Sequence, residues 1–156
     1  MIKLTIVTAF LFVGFSPLNA QKLYKEIPVK KISSEKVKFS KNFINNLLEK
    51  CADKDYTNFT DYNLSNHFKK FINENLEQVC TNNEKVYGVI KTENLNSVYN
   101  DRYSNLYNPV ELYIYNVSTE KNKEVKFISI WMTQNENLID GIWISNYKPL
   151  EKPKEK

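Results

Sequence analysis

The feature that most constrains this chain is a change of hydrophobic period near Lys85. Upstream, apolar residues recur at steps of three and four. Downstream they alternate at a step of two. The first period is that of a helix with one buried face, the second that of a strand. Phe43, Ile44, Leu47, Leu48 and Cys51 form one helical stripe. Ser40 stands before it as a cap, with Phe39 and Ile44 at the spacing of a hydrophobic staple. This helix is predicted to end near Asp53. Tyr56, Phe59 and Tyr62, three residues apart, predict a short helical turn. Leu64, Phe68, Phe71, Ile72, Leu76, Val79 and Cys80 form a second stripe, starting near Asn63 or Ser65 and ending near Asn82 and Asn83. Strands are then predicted at Val86–Thr92, Val110–Val117, Val125–Thr133 and Leu138–Tyr147, with a polar link from Gln134 to Asn137 suited to a hairpin.

Helices followed by consecutive strands place the chain in the α+β class, with an antiparallel sheet of about four strands packed on N-terminal helices. Several strands carry apolar groups on both faces and need cover on both sides. A strongly curved sheet wrapped round its own helices supplies it.

The ends differ from the body. Met1-Ile2-Lys3, the apolar run Leu4–Phe15 and the break Ser16–Ala20 have the order of a secretory signal, with cleavage expected between Ala20 and Gln21. The run is about twelve residues, short of the roughly twenty that cross a bilayer. Residues 21–38 read as an exposed basic leader, with a short edge strand around Leu23–Ile32 that Pro28 weakens. Residues 39–148 read as a single α+β domain and residues 149–156 as a charged, disordered tail. The expected location is secreted or periplasmic.

Charge position limits the partners. The chain holds 21 Lys, one Arg and 21 Asn, a usage that follows AT-rich codons more than an anionic ligand. Residues 21–41 carry seven Lys against two Glu, whereas residues 42–147 carry ten basic and fourteen acidic groups. A nucleic-acid-binding domain would concentrate positive charge on its folded body, so that class is excluded. The basic leader offers at most weak, salt-sensitive contact with an anionic envelope.

The helix Phe43–Cys51, the break Asp53-Lys54-Asp55-Tyr56, the helix around Phe68-Lys69-Lys70-Phe71, Tyr87-Gly88, and the closing run Leu138–Ile144 together resemble the nuclear transport factor 2-like superfamily. The similarity covers residues 38–147 and points to its small secreted bacterial branch of unknown function. It implies helices inside a cone-shaped sheet, and catalytic Asp, His or Tyr residues where members are enzymes. A cystatin-like α+β fold is the alternative.

Candidate sites are few. One His and no clustered ligands argue against a metal centre, and no cofactor motif is present. His67 lies beside its helical stripe and reads first as a structural residue. Asp140 is the one acid in the apolar strand Leu138–Ile144. By alternation it shares a face with Ile142 and Ile144, where desolvation would make it a base. Asp140-Gly141 also reads as a bulge with its carboxylate in water. Tyr113, Tyr115, Trp131 and Trp143 lie on consecutive strands and are candidates to line a pocket, or to fill a core. Tyr99, Tyr103 and Tyr107 mark a loop rich in contact residues. Cys51 and Cys80 suit a disulfide outside the cytoplasm, but both lie near the C-terminal ends of their helices, which an antiparallel helical hairpin would hold apart. Two free buried thiols fit the stripes equally well.

The leading expectation is a non-enzymatic binding module for a small molecule, glycan or protein, with a homodimer open. The alternative is a small pocket hydrolase, isomerase or dehydratase using Asp140.

Overall fold

Ser33 and Ser65 start the two helices. In the computed structural model, which describes residues 24–101 and 108–150, helix α1 spans Ser34–Asp53 and α2 spans Asn66–Tyr87. The Ser33 hydroxyl accepts from the Lys36 amide, and the Ser65 hydroxyl from the Phe68 amide, each satisfying an otherwise unpaired helix donor. The secretory signal, the start of the leader, Tyr103, Tyr107 and the tail from Glu151 lie outside the described residues.

Three sequence expectations are corrected here. Ser40 is not a cap: it is fully buried inside α1, seven residues beyond the true cap. The segment after α1 is not a helical turn. Lys54 takes a left-handed conformation (φ 55°), and its amide and that of Asp55 close back on the Cys51 and Lys50 carbonyls. The chain then runs extended to Ser65, pinned by Phe59 and Tyr62 against the Phe43 ring at 5.2 and 5.0 Å. Finally, α2 does not end at Asn83 but continues through Val86 and Tyr87. Gly88 stops it at φ 65°, and a side chain there would come within 2.7 Å of Glu120 Oε2.

Five strands form one open antiparallel sheet in sequence order: β1 (Tyr24–Glu26), β2 (Ile90–Asp101), β3 (Val110–Thr119), β4 (Phe127–Thr133) and β5 (Ile139–Ser145). The fold is therefore α+β, as the period change implies. The fifth strand, β1, comes from the leader and pairs with the end of β2. Residues 24–38 belong to the folded body, because Ile27, Ile32 and Val37 pack against its core.

Both helices pack on one face of the sheet, here the inner face. Phe43, Ile44, Leu47, Phe68, Ile72 and Leu76 meet Val98, Tyr113, Tyr115, Ile128, Ile130 and Ile139 in one buried cluster. Cross-strand register places Tyr113 opposite Val98 and Ile130, and Tyr115 opposite Leu95 and Ile128, so these side chains share that face. Burial of this kind contributes about 25 cal/mol per Å² of apolar surface and dominates the stability of such a domain.

Cys51 and Cys80 are disulfide-bonded, with Cα atoms 4.9 Å apart. The extended link makes this possible. It returns the chain to the end of the sheet where α1 began, and there Leu64 bridges Ile139 and the Ser65 amide bonds the Ile139 carbonyl. The helices thus run in the same direction, and their C-terminal halves meet.

Candidate functional site

Strand alternation divides the four central aromatic candidates between faces. Tyr113 and Tyr115 point inward and are about 1% and 0% exposed. Tyr115 Oη donates to the Val37 carbonyl at 2.9 Å and lies 2.6 Å from Ser40 Oγ. Tyr113 Oη donates to Glu111 Oε2 at 2.8 Å, and Lys36 Nζ reaches the same oxygen at 2.8 Å. These bonds dock the first half of α1. Burial raises the Tyr113 phenol well above its ordinary range, reinforced by the Glu111 carboxylate. Burial also pushes Tyr115 up to about 12, against the Ser40 hydrogen bond. The space between helices and sheet at this level is occupied by side chains that hold the fold together.

Trp131 and Trp143 point the other way. Trp131 pairs with Leu112 and Gly141, and Trp143 with Ser129, so all of these lie on the outer face. Tyr99, opposite Leu112, joins them. Tyr24, opposite Asp101 at the edge of the sheet, reaches across to accept a hydrogen bond from Trp131. The Trp131 ring lies over Gly141 of β5, with Cε3 3.9 Å from where a Cβ would stand, an ordinary contact distance. Trp143 is 40% exposed and packs edge-to-face with Tyr147, with centroids 5.6 Å apart. Leu112 and Ile114 are fully buried on this same face, and so is Ser129, whose hydroxyl has no hydrogen-bond partner.

Asp140 arrives on the outer face through a bulge. Trp131 faces Gly141 while Met132 faces Ile139, so Asp140 is an extra residue in the ladder. The extra residue restores Ile142 and Ile144 to the helix-packed face and removes Asp140 from it. Simple alternation would place Asp140 with those isoleucines; instead it is exposed. Its charge is felt at Tyr24, whose phenol is raised first by burial, then by Asp101 and Asp140, with the Trp131 hydrogen bond opposing.

No family model, curated protein or solved structure matches the chain. The site must therefore be read from its own geometry.

His67 is exposed in the first turn of α2, on the helical layer and away from the face carrying Asp140. Among the described residues no three His, Cys, Asp or Glu side chains come together as a metal site, and no helix is long and apolar enough to cross a membrane. A concavity of about 450 Å³ lies over the disulfide, on the helical side of the fold, lined by Leu48, Ala52, Val89 and Ile90 with Glu49 and Lys121 nearby. Sequence reasoning missed two contributors. Glu111 was legible as the lone acid within the apolar run Val110–Val117. Tyr24 was not, because its place beside Trp131 depends on the pairing of β1 with β2.

Proposed function

We propose that this protein is a secreted or periplasmic binding module that holds its ligand on the outer face of the sheet and performs no chemistry on it. The observation that carries this reading is the unequal finish of the two faces. The inner face is packed with side chains committed to the fold. The outer face presents Trp131, Trp143, Tyr99 and Tyr24 over a buried floor, with Trp143 and Asp140 open to solvent. Aromatic rings with a few polar groups suit recognition of a small molecule, a glycan or a protein side chain. The helix-then-strand order and the inward helices support placement in the nuclear transport factor 2-like superfamily, with a cystatin-like fold as the rival. The disulfide favours an oxidising compartment.

A ligand screen followed by tryptophan emission and thermal shift tests this reading. Trp131 and Trp143 are the chain's two tryptophans, so emission reports on the proposed face alone. The expected result is a saturable emission change with at least one ligand and no turnover of it. Mass spectrometry of the mature protein should find Gln21 as its first residue. A screen in which every ligand that binds is also converted would favour the enzyme reading instead.

A further inference from the structure

The outer face has a chemical bias that narrows its ligand. The half of the sheet around Trp131 is built from residues 24–26, 97–101, 110–114, 129–133 and 139–145. Among these described residues the one basic side chain is Lys25, which register places on the inner face opposite Asn100. Glu26, Asp101 and Asp140 lie on the outer face, Glu26 and Asp140 being exposed and Asp101 nearly buried with a partner of its own. The chain as a whole has 22 basic and 18 acidic side chains. This half-face therefore runs against the charge of the molecule that carries it.

Aromatic rings add to the same sign of field, because the face of an indole or phenol ring is the negative part of its quadrupole. A cation held over such rings is attracted by that field, more strongly when water is excluded. Trp131 and Trp143 are diagonal neighbours across β4 and β5, a separation that large rings span. Between their backbones lies Gly141, which contributes no side chain. The Ser129 hydroxyl opposite Trp143 is buried without a hydrogen-bond partner, an arrangement that is unfavourable when nothing answers it. Asp140, turned onto this face by the bulge, supplies a full negative charge beside Trp131.

We propose that this half-face binds a small alkylammonium cation, with its methylated head over the Trp131 and Trp143 rings and its charge met by Asp140, an inference that rests on the binding reading above. A neutral glycan would use the rings equally well but would gain nothing from the acidic side chains among the described residues of this half-face. The Ser129 hydroxyl would accept from a ligand N–H or exchange a hydrogen bond with a ligand hydroxyl.

The test is titration of the folded, oxidised chain with choline, with its neutral tert-butyl isostere in which carbon replaces nitrogen, and with maltose. Tryptophan emission and calorimetry supply the readouts. Choline should bind saturably and about tenfold more tightly than the isostere. Asp140→Asn should weaken it several-fold, and raised salt should do the same. Trp143→Ala should abolish binding while leaving far-ultraviolet dichroism unchanged, since this ring is half exposed and lies outside the helix-side core. Equal affinity for choline and the isostere overturns the cation site, as does undiminished calorimetric binding by Trp143→Ala. A response to maltose without one to choline also overturns it but leaves the binding module standing. Silence of the face toward every probe here and in the wider screen removes both.

Discussion

Ser40 Oγ and Tyr115 Oη lie 2.6 Å apart in the fully buried seam between α1 and β3. The pair joins the first half of a helix to the middle of the central strand. Tyr115 also donates to the Val37 carbonyl of the same helix, so one phenol fixes two neighbouring turns. Tyr115→Phe should cost about 1–2 kcal/mol, because it removes both phenol bonds and leaves the buried Ser40 hydroxyl only the Val37 carbonyl at 3.1 Å. Ser40→Ala should cost about 1 kcal/mol. A double-mutant cycle by urea denaturation should show the two losses to be non-additive, and strict additivity would mean that the bond contributes nothing.

Alkaline pH should unfold this protein through the same seam. The ordinary tyrosine value is 10.0, and in the fold Tyr115 is raised to about 12 with Tyr113 higher still. Between pH 10 and 12 the unfolded chain has therefore lost these protons while the folded chain retains them. Stability contributed by the neutral phenols is complete below pH 10 and falls as pH rises toward the folded values, by up to about 1.4 kcal/mol per pH unit per tyrosine. Urea melts from pH 8 to 11.5 measure the slope. In absorbance titration, these two tyrosines should ionise only as the protein unfolds.

Lys36 and Glu111 form an ion pair at 2.8 Å with side chains 17% and 6% exposed. Removing the ammonium alone strands a nearly buried carboxylate with Tyr113 as its remaining partner. Lys36→Met should cost about 2–3 kcal/mol, whereas Glu111→Gln, which still accepts from Tyr113, should cost about 1 kcal/mol. The double variant should recover most of the Lys36→Met loss. Chemical denaturation of the three variants checks the order.

The disulfide closes a loop across a sequence separation of 29 residues. In the chain-entropy description, such a closure stabilises by about 3–4 kcal/mol. Reduction should lower the urea midpoint accordingly without changing the tryptophan environment of the folded state, because the bond lies at the far end of the helical layer. If reduction perturbs Trp131 and Trp143 under native conditions, the two regions are coupled.

Much of this architecture was legible in the order of hydrophobic periods, because burial on one face imposes a period that loops do not share. The helical stripes name the core residues Phe43, Ile44, Leu47, Phe68, Ile72 and Leu76 directly. Helix ends were less legible. Ser33 and Ser40 both precede apolar stripes, and only packing on Tyr115 decides which one lies inside the helix. The step of three through Tyr56, Phe59 and Tyr62 mimics a turn, yet it arises because an extended link drops aromatic rings onto Phe43. Val86 and Tyr87 look like strand residues, but the helix continues until Gly88. The site was the hardest part to read. Each strand's alternation is visible by itself, but the phase between strands is set by pairing, so Tyr113 and Trp131 could not be separated from sequence. For Asp140 both readings were open, and the bulge decides between them.

The bulge also has a consequence for how this surface can change. Because two residues of β5 oppose one of β4, Asp140 is supernumerary: excising it would leave Ile139, Gly141 and Ile142 in an unbroken ladder with the same residues facing the helices. The carboxylate can thus be deleted, exchanged or lost during divergence while the rest of the chain keeps its pairing, which uncouples the evolution of specificity on this face from the preservation of the fold.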